Sequence, residues 1–179
     1  MRVLWSTIFG NQRRVEVEIG PGRGDALLGF AAAAPDTNFF GIEQKAGAAD
    51  ALAAAATRRG LTNVRVVAGD ARCIVGQLVP DVSVAAYHVY FPDPWPKNGH
   101  RHRRLMTPAF AAEVVRTLAR GGAVHVASDL PWLAADLRSH LAAVGLSEAP
   151  DAVPPPRPRT RFERRYAQAG THYAHLVRP

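Results

Sequence analysis

Short apolar segments rich in β-branched residues alternate with longer segments rich in Ala and Leu along most of this chain, and no other feature limits its fold as strongly. The segments with the character of strands are residues 15–19, 38–42, 64–68, 82–90, 123–127 and 172–177. The segments with the character of helices are residues 25–34, 46–59, 71–79, 108–118 and 132–144. Strands that alternate with helices form a mostly parallel sheet with helices on both faces, so we expect an α/β fold.

Glycines and prolines mark where these elements end. Gly60, the pair Gly121-Gly122, and Gly145 fall just after predicted helices, where a left-handed residue commonly forms the C-cap. Residues 150–158 contain five prolines, which exclude a helix or a central strand there. We expect that segment to be an extended tether within one domain.

Acidic residues stand at the carboxyl ends of four predicted strands. They are spaced about one strand–helix unit apart, and they are Glu18, Glu43, Asp70 and Asp93. Because the carboxyl ends of neighbouring parallel strands border one crevice, we expect the four carboxylates to converge on a single ligand site. Any one of them alone would equally fit a helix cap.

A glycine-rich turn, Gly20-Pro21-Gly22-Arg23-Gly24, follows the first predicted strand. Glycines let the backbone bend sharply and let a ligand approach closely. A dinucleotide fingerprint needs glycine at position 25, where this chain has Asp25, and no Gly-Lys-Ser/Thr follows as in a phosphate loop. The turn by itself equally fits an ordinary connection between a strand and a helix.

Four carboxylates suit a ligand that combines a positive centre, ribose hydroxyls and an amino-bearing base. Glu43 is expected to accept the hydroxyls, Asp70 the amino group, and Glu18 to favour a nearby sulfonium by opposite charge. S-adenosylmethionine has all three parts, whereas the pyrophosphate of a nicotinamide cofactor would be repelled. The predicted cofactor site consists of Glu18, Gly20, Gly22, Gly24, Glu43, Asp70 and Asp93.

Residues 91–105 read F-P-D-P-W-P-K-N-G-H-R-H-R-R-L, a carboxylate on a proline-rich turn followed by a dense block of cations. The whole chain has 22 Lys and Arg against 15 Asp and Glu, a net charge of +7, and a pI of about 10.5. Such an excess favours a polyanionic partner, either nucleic acid or an acidic membrane surface. Plain solubility or an Arg-rich genome bias would give the same totals.

Several motifs occur in an order that resembles the bacterial tRNA (guanine-N7)-methyltransferases. They are V-E-I-G-P-G-R-G at 17–24, N-F-F-G-I-E at 38–43, G-D-A at 69–71, F-P-D-P-W-P-K at 91–97 with H-x-x-R-R-L after it, A-S-D at 127–129 and T-R-F-E at 160–163. The resemblance runs from about Phe9 to Val177. It implies a Rossmann-like class I methyltransferase with a mostly parallel seven-stranded sheet. Residues 1–179 would form one domain, with a cofactor-binding core at 9–149 and a Pro-rich tether, substrate loop and final strand at 150–179.

The resemblance also implies roles for individual residues. Glu18, Glu43 and Asp70 would hold S-adenosylmethionine, and Asp93 would lie where cofactor and guanine meet. The substrate would be contacted by Lys97, Asp129, Thr160, Arg161, Phe162 and Glu163, and the RNA by His100, Arg101, His102, Arg103 and Arg104. The implied activity is transfer of a methyl group to N7 of a guanosine in tRNA, with the variable loop as the expected place.

The chemistry of guanine N7 indicates what such a site needs. N7 carries an in-plane lone pair and no proton at neutral pH, so it attacks a sulfonium methyl without a strong base. Catalysis is then mostly positioning, together with stabilisation of the cationic product. Asp93, between Pro92 and Pro94, is the expected catalytic residue. It either stabilises the developing charge or orients the base by accepting its N1–H and N2–H.

The remaining composition favours a cytoplasmic protein. Cys73 is the only cysteine, which excludes an internal disulfide and fits a reducing compartment. No apolar run is long enough for a membrane span, and residues 1–10 do not fit a signal peptide. We expect a tRNA partner, no membrane association, no metal, and a monomer or weak homodimer. A non-catalytic RNA-binding relative, or a methyltransferase for another RNA or a small molecule, stay open as alternatives.

Overall fold

The computed structural model describes residues 2–149, 151, 159–165 and 170–179. The predicted proline-rich tether at 150–158 therefore lies outside the described residues, apart from Asp151.

The described part of the chain forms one sheet of seven strands. The strands are β1 Val15–Ile19, β2 Asn38–Glu43, β3 Val64–Ala68, β4 Val84–Tyr90, β5 Leu118–Ser128, β6 Ser147–Glu148 and β7 His172–Val177. Their order in the sheet is β3-β2-β1-β4-β5-β7-β6. The first five strands are parallel, whereas β7 runs antiparallel to both β5 and β6. The expected mostly parallel seven-stranded sheet is confirmed.

Helices connect the strands and cover both faces of the sheet. They are α1 Trp5–Phe9, α2 Asp25–Ala33, α3 Ala46–Arg58, α4 Ala71–Gln77, α5 Pro108–Thr117, α6 Pro131–Ala143 and α7 Arg161–Arg165, with a 3₁₀ helix at Asn98–Arg103. Where local signals exist they explain the boundaries: Thr107 accepts the N–H of Phe110 as the N-cap of α5, and Pro108 follows at the first helical position. None of the described helices is both long and apolar enough to cross a membrane.

Two apolar clusters, one on each face, hold the layers together. Strand β2 shows the alternation: Phe40 packs in the cluster that contains residues of α1, α4, α5 and α6, and Phe39 packs in the cluster of α2 and α3. Leu27 in α2 and Val17 in β1 are fully buried. Each such side chain contributes roughly 1.5–3 kcal/mol through burial.

The prediction that Gly121-Gly122 cap a helix is wrong. Helix α5 ends at Thr117, and both glycines lie within β5. Gly121 has a φ of +70°, and a Cβ at Gly122 would lie 3.0 Å from the carbonyl oxygen of Ala85. Gly122 thus lets β5 bend closely against its own Ala119 carbonyl and against β4 where the pairing register shifts, and Gly121 supplies the positive φ.

Four short elements had no clear signal in the sequence, namely α1, the 3₁₀ helix, β6 and α7. Each has six residues or fewer, too few for a hydrophobic period to appear.

Candidate active site

A cavity of about 700 Å³ opens where β1, β2, β3 and β4 end. Its wall includes Gly20 and Gly22, Glu43, Asp70 and Asp93. A second cavity of about 230 Å³ adjoins it and includes Glu18. The shared wall of the two consists of Gly20, Gly22, Arg23, Tyr90, Phe91 and Phe162. The four acids singled out by their spacing therefore lie around two adjoining spaces at one edge of the sheet, where open α/β sheets bind their ligands.

The glycine-rich turn after β1 forms one side of both cavities. Gly20 and Gly22 have φ values of +70° and +55°, and a Cβ on either would meet nothing within 4 Å. These positions therefore leave space that a ligand can occupy. Gly24 has a different surrounding, because a Cβ there would overlap the side chain of Leu52 in α3. It lets α2 and α3 pack closely.

Glu43 ties the glycine-rich turn to the end of β2. One carboxylate oxygen accepts the backbone N–H of Gly22 at 3.0 Å, and the other accepts that of Lys45 at 3.1 Å. The residue is 9% exposed. Since each carboxylate oxygen has two lone pairs, both remain able to accept one further hydrogen bond from a ligand.

Asp70 ends the connection after β3 and caps α4. Its carboxylate accepts the backbone N–H of Arg72 at 2.8 Å and the guanidinium of Arg72 at 2.7 and 3.2 Å. The hydrogen bond from the Arg72 side chain holds the pKa of Asp70 below its usual value. The same guanidinium donates to the carbonyl of His102 at 3.3 Å, which links the cavity wall to the 3₁₀ helix.

Asp93 lies on a loop with an unusual backbone. Phe91 and Trp95, on either side of it, have φ values of +51° and +40°, which are costly for residues other than glycine. Arg104 donates to the carbonyl of Trp95 at 3.4 Å, and the guanidinium of Arg103 lies 4.9 Å from the centre of the Trp95 ring. The loop thus presents an exposed carboxylate on a backbone fixed at both sides.

Helix α7, which carries the T-R-F-E motif, lies across the cavities. Thr160 and Glu163 form a capping box, in which each side chain accepts the backbone N–H of the other residue. Asp25 accepts the N–H of Arg161 at 2.8 Å and a guanidinium N–H of Arg164 at 3.2 Å. Asp25 opens α2, directly after the glycine-rich turn, so it attaches α7 to that turn.

Phe162 completes the wall between α7 and the proline-rich loop. Its ring stacks on that of Phe91, with centroids 5.8 Å apart and planes 15° apart. It also lines both cavities. Two segments that are far apart in the sequence, 91–95 and 160–163, therefore meet at the same cavity.

Comparisons with known proteins agree with this geometry. The sequence matches a family described as "Putative methyltransferase" over residues 12–176. A tRNA (guanine-N(7)-)-methyltransferase of Salmonella typhimurium is 37% identical over 174 residues, covering 94% of this chain and 73% of the relative. One of Sodalis glossinidius is 39% identical over 175 residues, covering 92% and 72%. The chain belongs to the tRNA (guanine-N7)-methyltransferase family.

Solved structures show the same fold at lower identity. An aminoglycoside resistance methyltransferase superposes with a TM-score of 0.67 at 16% identity, covering 97% of this chain and 91% of that one. The expectation of a class I methyltransferase fold is confirmed, and S-adenosylmethionine is the cofactor of such enzymes.

The residues present in this methyltransferase fit that cofactor. The glycine-rich turn leaves open space at Gly20 and Gly22, and the carboxylates of Glu43 and Asp70 border the same cavity. A volume of about 700 Å³ is in the range of small-molecule sites. Acceptors at two strand ends suit ribose hydroxyls and an amino-bearing base, and the negative charge suits a sulfonium.

The block of predicted RNA contacts lies at the rim of the site, and its members differ. Lys97, Arg101, His102 and Arg103 are exposed. His100 packs edge-on against Trp95, with centroids 5.8 Å apart. The Arg104 side chain is only 11% exposed, lies 4.8 Å from the Trp132 ring centre, and has Asp136 at 3.5 Å. Arg104 is thus directed into the protein.

Asp129 lies at the same edge of the sheet. It directly follows β5, whose Ala127 pairs with Tyr90 at the end of β4. Like the other predicted site acids, it stands at the carboxyl end of a parallel strand.

Sequence reasoning missed several residues that build this site. In the sequence, Asp25 stood out only because a dinucleotide fingerprint would have glycine there. An acid in the first turn of a helix is favoured by the helix dipole, which is a weak signal that could have drawn attention to it. Arg72, two residues after a capping Asp, carried a weak local signal. Trp132 and Asp136 carried none, because their contact with Arg104 depends on the packing of α6.

From the sequence we expected no metal site, and such a site would need a cluster of ligating side chains. Among the described residues, no group of three or more His, Cys, Asp and Glu side chains is placed to hold a metal ion.

Proposed function

We propose that this chain transfers a methyl group from S-adenosylmethionine to N7 of a guanosine in tRNA. Membership of the tRNA (guanine-N7)-methyltransferase family supports the reaction. One structural observation carries the assignment to this site. The exposed carboxylate of Asp93 stands between a cavity bordered by acids and a segment rich in cations.

The larger cavity is the proposed cofactor site. When bound, S-adenosylmethionine supplies an electrophilic methyl group on a positively charged sulfur. Glu43, fixed by two backbone N–H groups, is oriented to accept hydroxyl donors. Asp70 is ionised and capped by Arg72, so it presents an acceptor edge at the end of β3. Glu18, which is 3% exposed, places its carboxyl group beside the glycine-rich turn, in the wall of the adjoining smaller cavity.

The smaller cavity, under α7, is the proposed place of the guanine. Phe91 and Phe162 offer an aromatic wall, and Thr160 and Arg161 line the same space. Such a pocket suits a base that has left its stack, because N7 in an A-form helix lies in a deep and narrow groove. An unpaired nucleotide of the tRNA, with the variable loop expected from the family, is the proposed target.

Asp93 is the proposed catalytic residue. Guanine N7 needs no base, so the chain mainly has to place it and to stabilise the positive charge that develops on the ring. The loop that carries Asp93 is held on one side by the hydrogen bond from the Phe91 N–H to the Ala127 carbonyl and on the other by the one from Arg104 to the Trp95 carbonyl. A carboxylate fixed in this way stabilises charge without reorganising at the moment of transfer.

The cations at the rim are the proposed phosphate contacts. Those on the 3₁₀ helix and before it are Lys97, Arg101, His102 and Arg103, and those on and beside α7 are Arg159, Arg161, Arg164 and Arg165. Phosphate contacts fix the register of the RNA and make its binding depend on salt. Arg157 precedes this second group in the sequence and lies outside the described residues.

Three further expectations concern the organisation of the chain, its location and its oligomeric state. Residues 9–149 would supply the cofactor site, and residues 150–179 the Pro-rich tether, the substrate loop and the final strand. A cytoplasmic location fits a tRNA substrate. A monomer or weak homodimer is expected, and light scattering at several concentrations would measure it.

The direct test is incubation with unmodified tRNA and labelled S-adenosylmethionine, followed by nucleoside mass spectrometry. The expected product is 7-methylguanosine. Cofactor binding without that product would point to another RNA or a small molecule as the acceptor. Absence of both product and cofactor binding, with RNA binding retained, would favour the non-catalytic RNA-binding alternative.

A further inference from the structure

Three buried polar side chains form a hydrogen-bonded chain that ends at the wall of the site. The Nε2 atom of His88 lies 2.8 Å from a carboxylate oxygen of Glu16, and its Nδ1 atom lies 2.9 Å from the hydroxyl of Tyr90. His88 is 0% exposed, Glu16 is 4% exposed and Tyr90 is 8% exposed. They connect β1 to the last residue of β4.

The direction of the hydrogen bonds follows from the charge of Glu16. Burial alone would raise the pKa of this carboxyl, but the hydrogen bond from His88 and the nearby charges of His88 and Arg14 outweigh burial and lower it. An ionised carboxylate only accepts, so Nε2 of His88 carries a proton and donates it. The other ring nitrogen, Nδ1, is the atom that faces the Tyr90 hydroxyl.

Neighbouring rings fix the position of His88. The ring of Phe30 in α2 has its centroid 4.6 Å away, and the ring of His125 in β5 stacks at 5.2 Å with planes 23° apart. A ring held by two hydrogen bonds and two aromatic contacts has one orientation. The hydroxyl of Tyr90 is therefore bound to a fixed point.

Tyr90 in turn separates the two halves of the site. Its side chain lines both the cavity that contains Glu43 and Asp70 and the cavity under α7. The next residue, Phe91, is the first positive-φ position of the loop that carries Asp93. A movement of the Tyr90 ring would therefore change both cavities and the start of that loop.

Fold stability alone does not account for the chain of hydrogen bonds. A buried carboxylate with its hydrogen-bond partner is often no more stabilising than apolar residues of the same size, because the buried polar groups lose their hydration. Tyr87 is a useful contrast on the same strand. Its buried hydroxyl lies 2.7 Å from that of Thr117, in the apolar cluster on the other face of the sheet.

We infer that Glu16 and His88 are positioning residues that act through Tyr90, whose ring fixes the separation between the cofactor cavity and the guanosine pocket. The inference rests on the proposed methyl transfer. The rate of such a transfer depends strongly on positioning, since a shift of about 1 Å between reacting groups can lower a rate by roughly a hundredfold.

The test compares two substitutions that each remove one buried tyrosine hydroxyl, Tyr90→Phe and the control Tyr87→Phe. For Tyr90→Phe we expect kcat to fall about tenfold, through lost positioning. The dissociation constants for S-adenosylhomocysteine, by calorimetry, and for unmodified tRNA, by filter binding, should stay within about twofold because the ring is retained. Tyr87→Phe should match the wild type in kcat. A kcat for Tyr90→Phe within about twofold of the wild type, or an equal loss in both variants, overturns the inference.

A second readout follows the hydrogen bonds directly. In ¹⁵N spectra of labelled histidine, His88 of the wild type should show a protonated Nε2, hydrogen-bonded to Glu16. Tyr90→Phe should shift its Nδ1 resonance, and Glu16→Gln should alter the tautomer and lower kcat in the same direction. Unchanged His88 resonances in both variants overturn the inference. If the wild type forms no 7-methylguanosine, the proposed function fails, and the histidine spectra alone then decide whether Glu16 and His88 hold Tyr90.

Discussion

His125 makes the stability of the protein depend on pH in a way that one substitution can isolate. The residue is 5% exposed in the middle of β5, and its Nδ1 lies 2.9 Å from Nδ1 of His175 on β7. Burial, followed by the charges of His88 and His175, lowers the pKa of His125 to about 3. Replacement by Phe keeps a ring beside His88 and removes the titrating group.

The sign and size of the effect follow from linkage. Below pH 6.5, the ordinary histidine pKa, the unfolded chain takes up a proton at His125 that the folded chain does not accept until about pH 3. The free energy of unfolding therefore falls as the pH falls through this window. The loss between pH 7 and pH 5 is about 2 kcal/mol. That is a large part of a typical total of roughly 5–15 kcal/mol.

Urea unfolding followed by circular dichroism at pH 7, 6 and 5 measures this loss. The wild type should lose about 2 kcal/mol more than His125→Phe over that range, although the variant starts less stable. Burial also lowers the pKa of His175, which acts in the same direction but is present in both proteins. Glu16, whose pKa is lowered from 4.5, titrates below the window.

Tyr87→Phe is the matched control, because it removes a buried hydrogen bond without removing a group that titrates between pH 5 and pH 7. Its stability difference from the wild type should be the same at every pH. Parallel pH profiles for the wild type and His125→Phe would refute the argument.

Three further predictions concern the proposed reaction. Asp93→Ala should abolish methyl transfer while the affinity for S-adenosylmethionine, by calorimetry, stays within a few-fold; retained turnover would remove Asp93 from the mechanism. Arg103→Ala should flatten the dependence of tRNA affinity on salt concentration, by roughly one unit of the log–log slope. Arg104→Ala should mainly lower the free energy of unfolding, by about 1–2 kcal/mol. Equal effects of the two variants on that slope would contradict the different orientations of the two side chains. Asp25→Ala should release α7, speed its hydrogen exchange and lower turnover up to about tenfold. The control Asp36→Ala, whose side chain is 96% exposed, should change neither exchange nor turnover. Unchanged exchange in α7 of Asp25→Ala would show that Asp25 does not hold the helix.

The parts of the fold that the sequence predicted are those with a repeating local pattern. Strands β1, β3 and β7 have the predicted bounds, because alternating or continuous β-branched runs define them. The acids at the strand ends were found for a related reason. Parallel topology brings any residue that directly follows a strand to one edge, so chain position alone indicates nearness in space.

The remaining contacts join residues whose separation in the sequence says nothing about their distance. Arg161 and Arg164 meet Asp25 across some 140 residues, and Arg104 meets Asp136 through the packing of α6. The prediction of Gly121-Gly122 as a cap failed for the same reason. Gly122 accommodates nearby carbonyls of β5 and of Ala85 in β4, and no local pattern reveals the second of these contacts.

The arrangement of charge explains how one edge of the sheet can serve two partners of opposite sign. A cationic cofactor is favoured by carboxylates that lie in the cavity, whereas RNA phosphates are repelled by them over about 8–10 Å at moderate salt. Arg72 lies at the boundary. It is bonded to Asp70 on the cavity side and to the carbonyl of His102 on the rim, so it neutralises Asp70 at the boundary between the cavity and the basic segment. Asp93 is then the carboxylate left exposed on that side of the cavity wall. A positive charge that develops on the guanine during transfer would meet it there, and this is why we assign the catalytic role to Asp93 and not to Glu43 or Asp70, whose carboxylates are already hydrogen-bonded within the protein.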